Sequence, residues 1–412
     1  MAFYPRFLQS AIAAALSDTP VVCLLGPRQT GKTTLCRTLS ADRAYFTLDD
    51  HTTYVAACKD PTGFIQSLPY QVTLDEVQRA PELLFAIKMA VDRDRSPGRF
   101  LLTGSANLLL LPRVQESLAG RIEILHLHPL TEAEKEQQFP HFLTRLLDQQ
   151  LAADMQQTQQ ALSGIAERLC QGGYPEPNTR KPHRARQWFA QYLQTIIRND
   201  ARDVANFRAQ DDLYNLMQLL ALRTGCLLNT QHIATELKLS RETVDKYIRL
   251  LEHLFLVYRL PAWHNNQAKR LIKTPKHHLV DSGLAAALNR LKAEHWQPCS
   301  TQFGALLEGF VIQQIRAQAT WLDEPVQLSH YRDKDQVEVD LVIERGRDVY
   351  GVEIKKSATI HDKSGAGLRR LARQAGSRFQ GGALIYCGNN AIALDVPHCF
   401  AIPIDWLWRK LS

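Results

Sequence analysis

At 412 residues and 46.7 kDa, the chain is too long for one ordinary domain of ~100–200 residues. Its composition, 45% hydrophobic and 22% charged, is that of a core-forming globular protein and excludes disordered, collagen-like and low-complexity classes. Forty-nine Lys and Arg against 42 Asp and Glu leave a net charge of +7, which permits a nucleic-acid partner without establishing one. No apolar run approaches the ~18–20 residues of a bilayer span. The first sixteen residues are broken by Arg6, Gln9 and Ser10 and lack the pattern of a signal peptide. A cytoplasmic location with no membrane partner is therefore expected. The eight cysteines are scattered, with no Cys-x-x-Cys pair, and read as reduced and mostly buried thiols.

Taken in chain order, short apolar runs at 21–25, 45–48, 72–74, 100–102 and 122–125 alternate with helical stretches. That is the pattern of an α/β domain with a parallel sheet. The first run leads straight into Gly26-Pro27-Arg28-Gln29-Thr30-Gly31-Lys32-Thr33, and Thr34 onward continues as a helix. This satisfies the G-x-x-x-x-G-K-[ST] phosphate loop in its required strand-to-helix context. Its glycines let backbone N–H groups close on phosphate oxygens, and Lys32 reaches the β- and γ-phosphates. The Thr33 hydroxyl is placed to coordinate Mg²⁺. ATP and Mg²⁺ are the expected cofactors.

Hydrolysis needs more than a cradle. The run 72–74 ends in Asp75-Glu76, where a carboxylate emerges at the phosphate edge of the sheet. Asp75 is expected to hold Mg²⁺ and Glu76 to polarise the attacking water. Asp49-Asp50 also closes a strand and is the rival pair. The run 100–102 ends in Thr103-Gly104-Ser105, which places Thr103 or Ser105 near a γ-phosphate. Arg113 and Arg121 are candidates to stabilise transition-state charge on a neighbouring copy.

The segments GPRQTGKTTL, LDEVQRAPELL, LLTGSANLLLL and ESLAGRIEILHLHPLTEAE resemble the AAA-type P-loop ATP-binding proteins of bacteria and archaea. Those proteins carry a C-terminal domain of unknown function with a restriction-endonuclease-like core. The resemblance extends over nearly the whole chain. It implies an ATPase with Thr103 at the sensor position and Arg121, rather than Arg113, as the arginine finger of a homo-oligomer.

Beyond Pro129 the composition turns rich in Gln, Leu, Ala and Arg, helical up to about residue 215 apart from a break at Gly172-Gly173. From Asn229 to Leu260 the pattern is a winged helix-turn-helix. Ser240 caps a helix whose Val244, Ile248, Leu251 and Phe255 share one face. Ser240, Arg241, Thr243 and Lys246 would face a DNA major groove, although such modules also serve for packing alone. Basic runs at 180–208, 259–276 and 363–378 add to the case for DNA as a partner.

In the last third, Tyr331 to Ile343 reads as a strand containing Asp340, followed after Gly346 by a strand ending in Glu353-Ile354-Lys355. Glu353 and Lys355 share a strand face. With Asp340, and with Glu308 from an upstream helix, they would form a Mg²⁺ site able to activate water against a phosphodiester. The order helix-Glu, strand-Asp, strand-Glu-x-Lys resembles the endonuclease-like core. His277-His278 show no metal-binding spacing. The expected organisation is a P-loop AAA-type ATPase core over 1–131, a helical region over 132–215, a winged helix over 216–262 and an endonuclease-like domain over 263–412. The expected function is Mg²⁺-dependent ATP hydrolysis coupled to DNA binding, with metal-dependent cleavage as its extension. A nucleotide-gated regulator whose nuclease-like domain is idle, and a motor that remodels DNA without cutting it, remain alternatives.

Overall fold

The structure is a computed structural model that describes residues 4–39, 43–106, 120–153, 162–200, 210–297, 299–361 and 364–411. It divides into two compact units. One comprises residues 6–129 with 251–256, and the other residues 1–5, 130–250 and 257–412. Arg113, Arg202, Arg208 and Lys363 lie outside the described residues.

The first unit is built on five strands: β1 (Val21–Leu25), β2 (Ala44–Thr47), β3 (Val72–Asp75), β4 (Phe100–Gly104) and β5 (Ile122–His126). All pair in parallel, in the order β2-β3-β4-β1-β5. Every residue of β1, β3 and β4 is buried, which is why these segments read as unbroken apolar runs. Cys23, Leu25, Leu74 and Leu102 pack against Leu83, Ile87 and Val91 of the helix Leu83–Arg93. Because the strands are parallel, the carboxyl ends of β1, β3 and β4 share one edge of the sheet, the usual ligand edge of an open α/β sheet.

In the second unit, helices lead to Thr230–Leu237 and Arg241–His253, capped by the side chains of Asn229 and Ser240. An antiparallel pair follows, β6 (Val257–Leu260) with β7 (Lys276–Leu279). The helix Ser300–Ala319 then precedes β8 (Gln327–Arg332), β9 (Glu338–Arg345) and β10 (Asp348–Lys355), which form an antiparallel meander. The helix Ala366–Ala375 crosses to β11 (Phe379–Tyr386), parallel to β10, and β13 (Cys399–Pro403) continues the sheet beside β11. β12 (Ile392–Ala393) closes the edge, giving the order β12-β13-β11-β10-β9-β8. The single strand expected over 331–343 is instead two strands. Asp333 Oδ1 accepts the N–H groups of Asp335 and Val337, and Gln336 takes a left-handed φ of 63°, which turns the chain between β8 and β9.

All eight cysteines are free, with Cys23, Cys36, Cys387 and Cys399 buried but Cys58 and Cys226 exposed. Among the described residues no helix is long and apolar enough to cross a membrane.

Candidate functional site

The loop between β1 and the helix Lys32–Leu39 has the backbone a phosphate cradle needs. Gly31 sits at φ 95°, in the left-handed region that a side chain disfavours. At Gly26 a Cβ would lie 2.2 Å from the Leu127 carbonyl oxygen, so only glycine lets the two segments approach. Gln29 also takes a positive φ, 62°. The Thr30 hydroxyl donates to the Pro27 carbonyl at 2.9 Å, and the buried Arg6 guanidinium donates to the Thr30 carbonyl at 2.6 Å. These bonds fix the loop from within and from behind. Pro27 is buried, Arg28 half-buried and Thr34 exposed at the start of the helix. The buried Lys32 ammonium folds back on the loop, donating to the carbonyls of Gly26 at 2.9 Å and Pro27 at 2.8 Å. Burial pushes it down to about 8, against the opposing pull of Glu76 and Asp75.

β3 delivers its two carboxylates to the same edge. The Thr33 hydroxyl donates to Asp75 Oδ2 at 3.0 Å, and the Tyr45 hydroxyl of β2 donates to the same oxygen at 2.5 Å. The Thr103 hydroxyl of β4 donates to Asp75 Oδ1 and accepts the Glu76 N–H at 3.1 Å. Glu76 leaves the strand in a left-handed conformation, φ 59°, which re-aims its side chain. Its Oε2 accepts the Ser105 hydroxyl at 2.8 Å and the Gln78 amide. The structure thus brings Thr33, Asp75, Glu76, Thr103 and Ser105 together beside the loop. A hydroxyl and a carboxylate in contact are hard oxygen donors of the kind Mg²⁺ takes, so these residues fit that ion. Tyr45 and Gln78 belong to the cluster although no motif or spacing marks either of them. The rival pair is engaged elsewhere: Asp49 pairs with Arg79 at 2.6 Å, and Asp50 caps the helix His51–Lys59.

Arg121 directly precedes β5, whose first residue pairs with the first residue of β1. It therefore lies at the edge of the sheet opposite the phosphate loop, with its Nε 2.6 Å from Asp92 Oδ1. It is not placed to serve the nucleotide of its own chain.

At the expected C-terminal metal site the side chains are engaged by groups of the chain itself. Among the described residues no group of three or more His, Cys, Asp and Glu side chains is poised to hold a metal ion. The buried Lys276 ammonium of β7 stands where an ion was expected, 2.9 Å from Glu308 Oε1, 3.4 Å from Glu338 Oε2 and 3.7 Å from Asp340 Oδ1. Asp340 Oδ2 accepts the Ile354 N–H at 2.8 Å. Glu353 is used otherwise: its Oε1 accepts the Leu368 N–H at 2.7 Å, satisfying the first turn of the helix Ala366–Ala375, whose N-cap residue is glycine. Burial raises its carboxyl above the usual range. Lys355 is exposed at the end of β10. Several arginines of the basic runs are paired with acids, Arg180 with Glu176, Arg370 with Asp333, and both Arg270 and Arg378 with Glu344.

A parallel sheet in this order, with a G-x-x-x-x-G-K-T loop after β1 and Asp75-Glu76 closing β3, defines a P-loop ATPase domain of the AAA type. Residues 18–135 match the family described as AAA domain. Residues 162–295 and 303–407 match two domains of unknown function, DUF8612 and DUF4143. The chain is 30% identical over 361 residues to the uncharacterized protein Rv2008c of Mycobacterium tuberculosis and to the uncharacterized protein Mb2031c of Mycobacterium bovis. Each alignment covers 86% of this chain and 74% of the relative, and the chain belongs to the family of these mycobacterial proteins. Among solved structures it is similar to a Walker-type ATPase of Pyrococcus abyssi, at 14% identity and a TM-score of 0.41, over 68% of this chain and 94% of that one.

Proposed function

We propose that the protein hydrolyses ATP with Mg²⁺ and uses the cycle to control a partner held by its second unit. The observation that carries this reading is the contact between Thr33 and Asp75 beside a lysine-bearing phosphate loop. In this reading the loop residues Gly26 to Thr34 cradle the phosphates, and Lys32 exchanges its two carbonyl partners for the β- and γ-phosphates. Thr33 and Asp75 hold Mg²⁺, which neutralises phosphate charge. Glu76, oriented by Ser105 and Gln78, polarises the attacking water. Thr103 ties Asp75 and Glu76 together and senses the γ-phosphate. Arg121 completes the site of a neighbouring copy in a homo-oligomer.

The partner proposed is DNA. Supporting it is the capped helix Arg241–His253, which leaves Arg241, Lys246 and Arg249 exposed and is followed in the chain by the β6–β7 pair. The order helix, antiparallel β8-β9-β10, helix, parallel β11 supports an endonuclease-like plan for the C-terminal domain. With Lys276 among its carboxylates and Glu353 capping a helix, the reading favoured for that domain is a non-cutting one, in which Asp340, Glu353 and Lys355 do no hydrolysis. The test is ATP turnover by the full chain with and without Mg²⁺ and duplex DNA, with the DNA from the same tubes checked for breaks. Mg²⁺-dependent turnover stimulated by uncut DNA is expected. Turnover unaffected by any nucleic acid would leave a regulator of another protein, and cleaved DNA would restore the nuclease reading.

A further inference from the structure

The connection between β6 and β7 holds two aliphatic side chains out in water. Leu271 and Ile272 are 89% and 83% exposed, the two most exposed large apolar side chains among the described residues. An adjacent pair is more than the single scattered apolar residue of an ordinary surface, and it forgoes the gain of burial. The pair ends the short helix Gln267–Ile272, none of whose residues is buried, yet that helix is fixed at its root. Asn266 Oδ1 accepts the Lys269 N–H at 3.3 Å, and the Asn266 N–H donates to His264 Nδ1 at 2.9 Å. Asn265 donates to the Gln374 carbonyl at 3.3 Å and accepts from Arg378 at 3.2 Å. Arg270 lies over the Trp263 ring at 5.5 Å, donates to the His264 carbonyl at 2.5 Å and grips Glu344 of β9 with both terminal nitrogens. The residue before the pair is thus locked to the sheet, and the pair itself is presented to solvent.

Charge indicates what covers it. No Asp or Glu occurs between Glu252 and Asp281. Lys269 is exposed on one side of the pair, and on the other Lys273 donates to the Arg332 carbonyl at 3.4 Å, a bond that leaves its charge unbalanced. An apolar pair between two cations is complementary to a polyanion with an apolar interior, which is what stacked bases between two phosphate chains provide. We propose that Leu271 and Ile272 form a wedge that enters the minor groove of duplex DNA at a base step and kinks it, while Lys269 and Lys273 meet the phosphates on either side. Two aliphatic side chains and two lysines are too little for stable attachment to a bilayer, whereas a wedge needs only one base step. The inference rests on the reading of DNA as the partner, and it adds a deformation of the duplex that binding alone does not require.

The experiment uses the full chain and a short duplex with a central TA step, the kind most easily unstacked. The duplex carries dyes at its two ends and, at that step, an adenine analogue whose fluorescence rises on unstacking. Anisotropy of the same samples reads affinity. The parent is expected to bring the ends closer, by a bend in the ~20–90° range that such wedges impose, and to raise the analogue's fluorescence. Leu271→Ser/Ile272→Ser, at positions exposed enough to leave the fold intact, should still bind at low salt but lose both signals. Leu271→Met/Ile272→Met, which keeps the apolar volume, should retain them. Bending and unstacking by the serine variant equal to the parent's would overturn the wedge and leave DNA as the partner. A parent that binds no duplex at low salt would overturn both readings. Binding to phosphatidylglycerol vesicles that the serine variant loses, with its effect on DNA unchanged, would overturn the proposal in favour of a membrane surface.

Discussion

Lys32 is held by the carbonyls of Gly26 and Pro27 in a loop whose glycines are dictated by a 95° φ at Gly31 and the Leu127 carbonyl at Gly26. Its two carbonyl bonds position the ammonium but do not neutralise it, and burial holds it at about 8. A triphosphate supplies the missing negative charge, so binding ATP raises the lysine's proton affinity. The sign follows from linkage. Below pH 8 the lysine is already charged and ATP affinity is flat. Above pH 8 binding takes up a proton and affinity falls, approaching about tenfold per pH unit. Fluorescent-nucleotide titration from pH 6.5 to 9.5 is expected to show that bend in the parent. Lys32→Gln should bind much more weakly, with no bend at that pH. A bend that survives in Lys32→Gln would assign the titration to another group.

At the scale of elements, β3, β4 and β10 each end in a functional-looking side chain, but only the first two deliver theirs to a shared edge. Glu353 satisfies the first turn of the helix Ala366–Ala375, and the chain is so close there that a Cβ on Gly367 would lie 2.1 Å from the Glu338 carbonyl oxygen. Glu353→Ala should therefore cost about 1–2 kcal/mol, the worth of a lost helix cap. Glu353→Gln, which keeps the acceptor, should cost far less. Hydrogen exchange of the amides of this helix measures both, and equal protection in parent and Glu353→Ala would remove the capping role. The same elements explain what could be read from the sequence. The phosphate loop is contiguous, and its flanking strand and helix are local patterns, so Gly26 to Thr34 and the closing Asp75-Glu76 were legible. The parallel sheet was legible because buried strands read as apolar runs. The cluster around Lys276 was not. It joins β7, β9 and one helix, and within a basic run Lys276 reads as one more solvated cation. The strand-face argument for Glu353 and Lys355 was correct about strands in general, yet it could not foresee a helix docking on Glu353. Nothing in the spacing of Tyr45 or Gln78 marked them, because each reaches the site through strand order or a strained turn.

For the whole molecule, the charge pairs reduce the basic surface that is free for DNA. Arg370 and Arg378 are committed to Asp333 and Glu344, whereas Lys246 and Arg249 are exposed on one helix with Arg241, which is itself 3.7 Å from Asp245. Replacing those three by Ala should reduce the slope of log affinity against log salt by about 0.9 for each DNA phosphate that the helix no longer neutralises. Anisotropy titrations with duplex DNA at several salt concentrations measure it, and an unchanged slope would move the interface elsewhere. Arg121 belongs to this scale as well, since it stands at the sheet edge opposite its own loop. Arg121→Ala should bind ATP normally but turn it over up to about 10³-fold more slowly. Mixing with Lys32→Ala chains, which supply an intact Arg121, should restore turnover. Recovery absent at every mixing ratio would argue against a finger acting between copies. The central claim is that β3 holds the metal with Asp75 and activates water with Glu76. It is tested most directly by single-turnover phosphate release with Mg²⁺ in the parent and in Glu76→Gln, alongside ATP binding. The account predicts unchanged ATP affinity and a rate lower by about 10²–10⁴-fold, the usual worth of a general base. Phosphate release at the parental rate from a folded Glu76→Gln chain would contradict it.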